Sequence, residues 1–262
     1  MTLLKHEIKM NLKTLLIWAL SVGALCAGCL LLFDSLEESM QGMADAYSNM
    51  GAFSVALGMN KLSVSTLEGF YATEIALMFA VGGAMFAAMT GAAMLSKEEE
   101  GHTGEFLFAL PMGRRTAVLG KYAAVVFLVL LFNVMTVLLV LAGFAGMGEM
   151  LDKKTFLLYH GAQFLMQLEI GSICFLISAV SKRRQLGASL GLAMVLYMAD
   201  LMCRIIPDLE NLKYVTPYYF SNGADIFSGG QLEGRMVVIS LCVTFLSVIA
   251  AMLVYEKRDL SA

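Results

Sequence analysis

Six apolar runs, each near the length of a bilayer crossing and nearly free of charge, constrain this chain more than anything else in it. They lie at about residues 15–33, 75–95, 122–144, 155–180, 186–206 and 236–255. At 1.5 Å per residue, roughly 20 apolar residues cross a hydrocarbon core of about 30 Å. No water reaches the backbone there, so every N–H and C=O must be satisfied within the segment or within a closed barrel. Runs of this length predict helices. The expected fold is an all-α integral membrane protein with six transmembrane helices, forming one domain over residues 1–262. Composition agrees: the chain is 59% hydrophobic and 15% charged. Soluble domains hold nearer a quarter charged residues.

Between the second and third runs lies the longest polar interruption on the predicted cytoplasmic side, residues 96–121. It reads Ser96-Lys97-Glu98-Glu99-Glu100-Gly101-His102-Thr103-Gly104-Glu105, then Phe106 to Pro111, then Met112-Gly113-Arg114-Arg115. The apolar piece Phe106 to Leu110 is too short to cross a membrane. Thr103 suits a helix start, Glu105 sits in the first turn where the helix dipole favours an acid, and Pro111 stops the run. On such a helix Phe106, Leu107 and Leu110 share one face. Two readings stay open from physics alone: an ordinary surface helix, or a docking face ringed by charge.

The order Glu98, Glu99, Thr103, Glu105, Leu107, Pro111, Arg114 resembles the loop after the second span of type-two ABC exporter permeases, the branch with drug, antibiotic and lantibiotic-immunity efflux subunits. His102 stands where that pattern more often has Gly, with Gly101 and Gly104 on either side. The resemblance implies that this segment is a coupling helix seated in a groove of an ATP-hydrolysing subunit. It implies contact through Glu98, Glu99, Thr103, Glu105, Phe106, Leu107, Leu110, Pro111 and Arg114. It also implies a second permease subunit, identical or not, beside this one. Closure of the ATPase on ATP would then reach the dimer seam chiefly through the second and fifth spans. ATP and Mg²⁺ belong on the partner; no cofactor, metal or catalytic residue is expected on this chain.

Residues 1–13 place Leu4, Ile8 and Leu12 on one helical face with Lys5, Lys9 and Lys13 beside it. That pattern predicts an interfacial helix lying in the headgroups ahead of the first span, and the family carries a similar one. A lipoprotein signal ending at Cys29 is disfavoured, because Cys26 stands where a Leu is expected and further spans follow. The five cysteines sit in or beside apolar runs, so they read as small membrane residues rather than a disulfide framework. Met40, Met43, Met50 and Met59 could suggest a soft metal site. With 20 methionines spread along the chain, core or lipid contact is the better account.

Within the spans, Gly83, Ala87 and Gly91 keep the small-xxx-small spacing that lets helices approach closely in lipid, as do Gly187 and Gly191. The fourth span is the most polar. His160, Gln163 and Gln167 fall on one face at 100° per residue, and Glu169 points nearly the opposite way. An intramembrane acid is costly and marks a functional candidate, although a protonated carboxyl or a bond to a neighbouring helix is the better account of Glu169. Asp200 and Arg204 stand at i, i+4 in the favourable order for an ion pair. His160, Gln163, Gln167, Glu169 and Asp200 are the candidates for lining a transport path. Residues 208–235 hold a Tyr- and Phe-rich centre suited to the membrane–water boundary, and resemble the short outer helices that the family places before its last span.

With both termini inside, twelve of the 18 Lys and Arg residues fall on the cytoplasmic side, concentrated in short loops. The expected location is the cell's inner (plasma) membrane, with lipid as a partner and no nucleic acid. Three function classes compete. No Gly-x-x-x-x-Gly-Lys-Ser/Thr loop occurs, so an ATP-driven permease needs a separate ATPase. The alternative is a secondary transporter or channel without an ATPase partner, which predicts internal repeats; none is visible. An intramembrane hydrolase lacks its constellation, since His6, His102 and His160 lie at unrelated depths.

Overall fold

The computed structural model describes residues 2–33, 35, 39, 41, 42, 44, 46, 49–101 and 113–257. Among them six helices are long and apolar enough to cross a membrane. They are α1 (Thr2–Leu31), α3 (Leu67–Met94), α5 (Arg114–Met147), α6 (Lys153–Val180), α7 (Leu186–Ile205) and α9 (Gly234–Lys257). Short helices between them include α2 (Ala52–Leu57), α4 (Lys97–Glu100) and α8 (Gly223–Gly229).

The ends follow local chemistry. Thr66 starts α3 by accepting the Gly69 N–H at 3.1 Å, and Asp152 starts α6 by accepting the Thr155 N–H at 2.8 Å. Helix α5 stops where Gly148 turns left-handed at φ 77°, a conformation that costs other residues about 1 kcal/mol or more. Pro207 cannot continue α7 and opens a 3₁₀ stretch, Pro207–Tyr214. Inside α3 the residues Tyr71–Ile75 form a π-helical turn.

Two boundaries differ from the sequence reading. The interfacial helix at 1–13 and the first span are one unbroken helix, α1. No Gly or Pro lies between Thr2 and Val22, and each added residue of a formed helix gains one hydrogen bond for little further ordering cost. The polar interruption also ends earlier than residue 121: α5 begins at Arg114, which puts Lys121 two turns inside a helix and fully buried.

Helices α3 and α6 form the centre. Helix α5 lies against α1, α3 is flanked by α1, α5 and α7, and α9 rests on α6 and α5. The α3–α6 approach is close: a Cβ on Gly91 would stand 2.2 Å from the Gly171 carbonyl oxygen, and one on Gly83 would stand 2.1 Å from Gln167 Nε2. In lipid no hydrophobic drive pulls helices together, so this closeness gains dispersion contacts that larger residues would prevent. Rings fill one end of the seam. Tyr71 contacts Phe144, Phe156, Tyr159 and Phe227, while Phe86 stacks on Phe132 at 4.9 Å. By contrast only 17% of the most apolar stretch of α9 is buried, against 67% for α3. Helix α9 therefore faces lipid or a partner.

Candidate functional site

Polar side chains gather at two ends and along the α6 seam. At the proximal end four charges, Glu7, Lys97, Glu98 and Lys121, form a neutral knot. Glu7 of α1 is ion-paired with Lys97 at the start of α4. Lys121 of α5 is ion-paired with Glu98, stands 3.3 Å from Glu7, and donates to the Met94 carbonyl at 2.8 Å. Glu7 and Lys121 are each about 1% exposed. Burying a lone charge costs several kcal/mol, so these groups are held by one another.

Ser178 of α6 adds a second tie. Its Oγ accepts the backbone N–H groups of Leu95 and Ser96 at 2.9 and 3.0 Å, filling two valences at the C-terminal end of α3. Glu100 accepts from both the backbone N–H and the guanidinium of Arg184 at 2.9 Å. Those bonds hold its carboxyl below the usual glutamate range. On the other side of the loop Arg114 donates to the Glu256 carbonyl at 3.0 Å, and Arg115 pairs with the Glu256 carboxylate. Both margins of the segment 102–112 are thus fixed to α1, α5, α6, α9 and the turn before α7. Of the expected coupling-helix residues, Glu98, Glu99 and Arg114 lie in this frame; Thr103, Glu105, Phe106, Leu107, Leu110 and Pro111 lie outside the described residues.

Along the α6 seam the polar residues part company, each facing a different neighbour. His160 Nε2 meets the Tyr71 hydroxyl at 2.9 Å inside a box of Phe79, Phe156 and Tyr159. Gln167 accepts from Asn133 of α5 at 2.6 Å, in the space left by Gly83. Glu169 is buried beside Ser240 of α9, away from the other three. Among the described residues a Cβ on Gly187 or Gly191 would meet nothing within 4 Å, so the small-residue stripe of α7 packs on none of them. It lies on that helix's outward face because α7 turns Ala193, Leu196 and Asp200 inward instead.

At the distal end Gln163 and Asp200 line one cavity. Its walls come from α2, α3, α6, α7 and the segment 218–223. Asp200 pairs with Arg204 at 3.0 Å, as its spacing implied, but Arg204 also holds Asp225 at 2.7 Å and the Tyr219 carbonyl at 3.1 Å. Asp225 in turn binds Lys61 at 2.6 Å. Burial raises the Asp225 carboxyl, but Arg204 and Lys61 outweigh it and leave the group below the usual aspartate range.

Sequence reasoning missed Glu7, Ser178 and Asp225, and read Tyr218 only as part of an aromatic run at the membrane boundary. Glu7 had a signal, as the one acid on a lysine-rich helix; Ser178 and Asp225 had none.

A family model described as "ABC-2 family transporter protein" matches residues 1–260. A search of curated proteins finds no match.

Proposed function

Because the chain belongs to the ABC-2 family of transporter proteins, a family of multi-pass membrane subunits, we propose that it is the permease half of an ATP-driven exporter. It works beside a second permease subunit, with a separate ATPase docked on the segment 102–112. ATP and Mg²⁺ are bound by that ATPase. Both termini lie in the cytoplasm, in the cell's inner membrane, with the proximal knot facing the ATPase.

The observation that supports this most is the way both margins of the loop are tied down. A docking element on a slack tether would move without moving the spans. Here Ser96, Lys97, Glu98 and Glu100 on one side, and Arg114 and Arg115 on the other, are bonded to four of the six long helices or to the turn between α6 and α7. A push on the loop is shared among the spans at once, and α3 and α6 pass it along their close contact. The frame is stiff because its buried charges have no cheap alternative partners.

Phe106, Leu107 and Leu110 supply the docking face. Burial is worth about 1.5–3 kcal/mol for each large apolar side chain, enough to decide whether two subunits stay together. Phe106→Asp and Leu107→Asp should leave the chain inserted and folded while removing the ATPase from the affinity-purified assembly. An assembly that holds no ATPase in the native chain, or keeps it fully in both variants, refutes the coupling reading.

A further inference from the structure

Toward the distal end of the α1–α3 seam lie sulphur atoms that the permease reading does not use. Cys26 and Cys29 stand one turn apart on α1, where side chains three residues apart are neighbours on the helix surface. Across the seam, Met78 of α3 brings its Sδ to 3.9 Å from Cys29 Sγ. The Cys26 thiol also turns toward α3, donating to the Ile75 carbonyl at 3.9 Å, one turn before Met78. Ile75 closes the π-helical turn Tyr71–Ile75, and such turns inside α-helices are frequent at functional sites. Cys26 is fully buried, while Cys29 and Met78 are half-buried. Three sulphurs from two helices thus meet at one level of the seam. Spacing pairs the two cysteines; only the fold supplies the thioether.

Their separation has a chemical meaning. Metal–sulphur bonds of about 2.3 Å meeting at about 120° set their sulphurs about 4.0 Å apart. The 3.9 Å between Cys29 and Met78 matches that span, so an ion fits between them without moving either helix. Thiol and thioether ligands select soft ions. Zn²⁺ takes four thiolate, imidazole or carboxylate ligands, and among the described residues no three His, Cys, Asp or Glu side chains gather to supply them. We propose that Cys26, Cys29 and Met78 hold one soft monovalent metal ion, Cu⁺ or Ag⁺, between α1 and α3. Binding breaks the Cys29 S–H bond, sends the proton to water and forms a sulphur–metal bond. The one thiolate cancels the ion's single charge, so no net charge is buried. Cys26 keeps its proton on the Ile75 carbonyl and offers a sulphur lone pair, as Met78 does. The site lies away from the loop that docks the ATPase, so neither reading depends on the other.

The test is competition for Cu⁺ between the purified full-length chain in lipid nanodiscs and a chromogenic Cu⁺ chelator, in reducing, oxygen-free buffer. The native chain should withhold one Cu⁺ per protomer, and Ag⁺ should displace it. Met78→Leu conserves volume and so keeps the packing. It should weaken Cu⁺ binding by about tenfold or more, because even the outer-shell partners of metal ligands are worth that much. Its metal-free Tm should stay at the native value, so that the lost affinity is the lost thioether. Cys26→Ala should weaken binding as well, and Cys29→Ser should abolish it. Cys242→Ser removes the exposed thiol and should change nothing. X-ray absorption of the bound copper should show only sulphur neighbours, at about 2.3 Å. No Cu⁺ withheld by the native chain, native affinity in Met78→Leu or Cys26→Ala, or loss of binding in Cys242→Ser overturns the proposal.

Discussion

At the residue scale, Arg204 joins two carboxylates, Asp200 at 3.0 Å on its own helix and Asp225 at 2.7 Å from the segment that folds back over it. The i, i+4 spacing of Asp200 and Arg204 announced an ion pair, and the 3.0 Å contact is there. Nothing in the local pattern announced Asp225, 21 residues on, because a helix repeat carries no information about a segment that folds back over it. The third member changes the expected mutational behaviour. Arg204→Gln strands Asp200 and leaves Asp225 to Lys61, whereas Asp200→Asn leaves Arg204 satisfied by Asp225. Breaking a buried charge network by removing its only shared partner costs about 3–5 kcal/mol. Arg204→Gln should therefore lower Tm much more than Asp200→Asn, and the double variant should recover only part of the loss. A full recovery in the double variant would show an isolated pair. The same limit applies along α6. Gln163 and Gln167 share a face by spacing, yet Gln163 meets Ser221 and Gln167 meets Asn133. The helix presents each level of that face to a different neighbour.

At the element scale, the spans were readable because length and absence of charge are properties of the sequence itself. Their ends were less so. Helix α5 begins at Arg114 because polar residues extend a helix as readily as apolar ones once lipid no longer sets the limit. Lys121, which composition assigns to the water side, sits inside because Glu7, Glu98 and the Met94 carbonyl surround it. The small-residue stripes separate in an instructive way. Both have packing spacing, but Gly91 lies against the Gly171 carbonyl while Gly187 faces outward. Spacing marks a face that can pack; tertiary placement decides whether anything packs there. Gly91→Ala should force α3 and α6 apart and lower Tm clearly. Gly187→Ala should leave the isolated chain unchanged or stabilise it by up to about 1 kcal/mol, the helix propensity difference. Equal losses from the two substitutions would contradict the α3–α6 contact as the tighter seam.

At the scale of the whole molecule, the chain reads as a lever with a fixed grip at one end and a small polar cavity at the other. The grip is the proximal knot, which binds the margins of the loop to α1, α5, α6 and α9. Between the ends run α3 and α6, packed too closely to slide independently. The measurement that tests this most directly places a cysteine at Asn60, an exposed distal residue, in a chain with Cys242→Ser. Its rate of reaction with an impermeant maleimide, applied from outside, is compared between nucleotide-free and ATP-trapped assemblies. The account predicts that trapping ATP changes the rate severalfold in the otherwise native chain. The change should vanish in the paired variant Glu98→Gln with Lys121→Met, which removes both charges of one tie without stranding either, although the ATPase still copurifies. An identical nucleotide-dependent change in the paired variant, or none in the native chain, would contradict transmission through the knot.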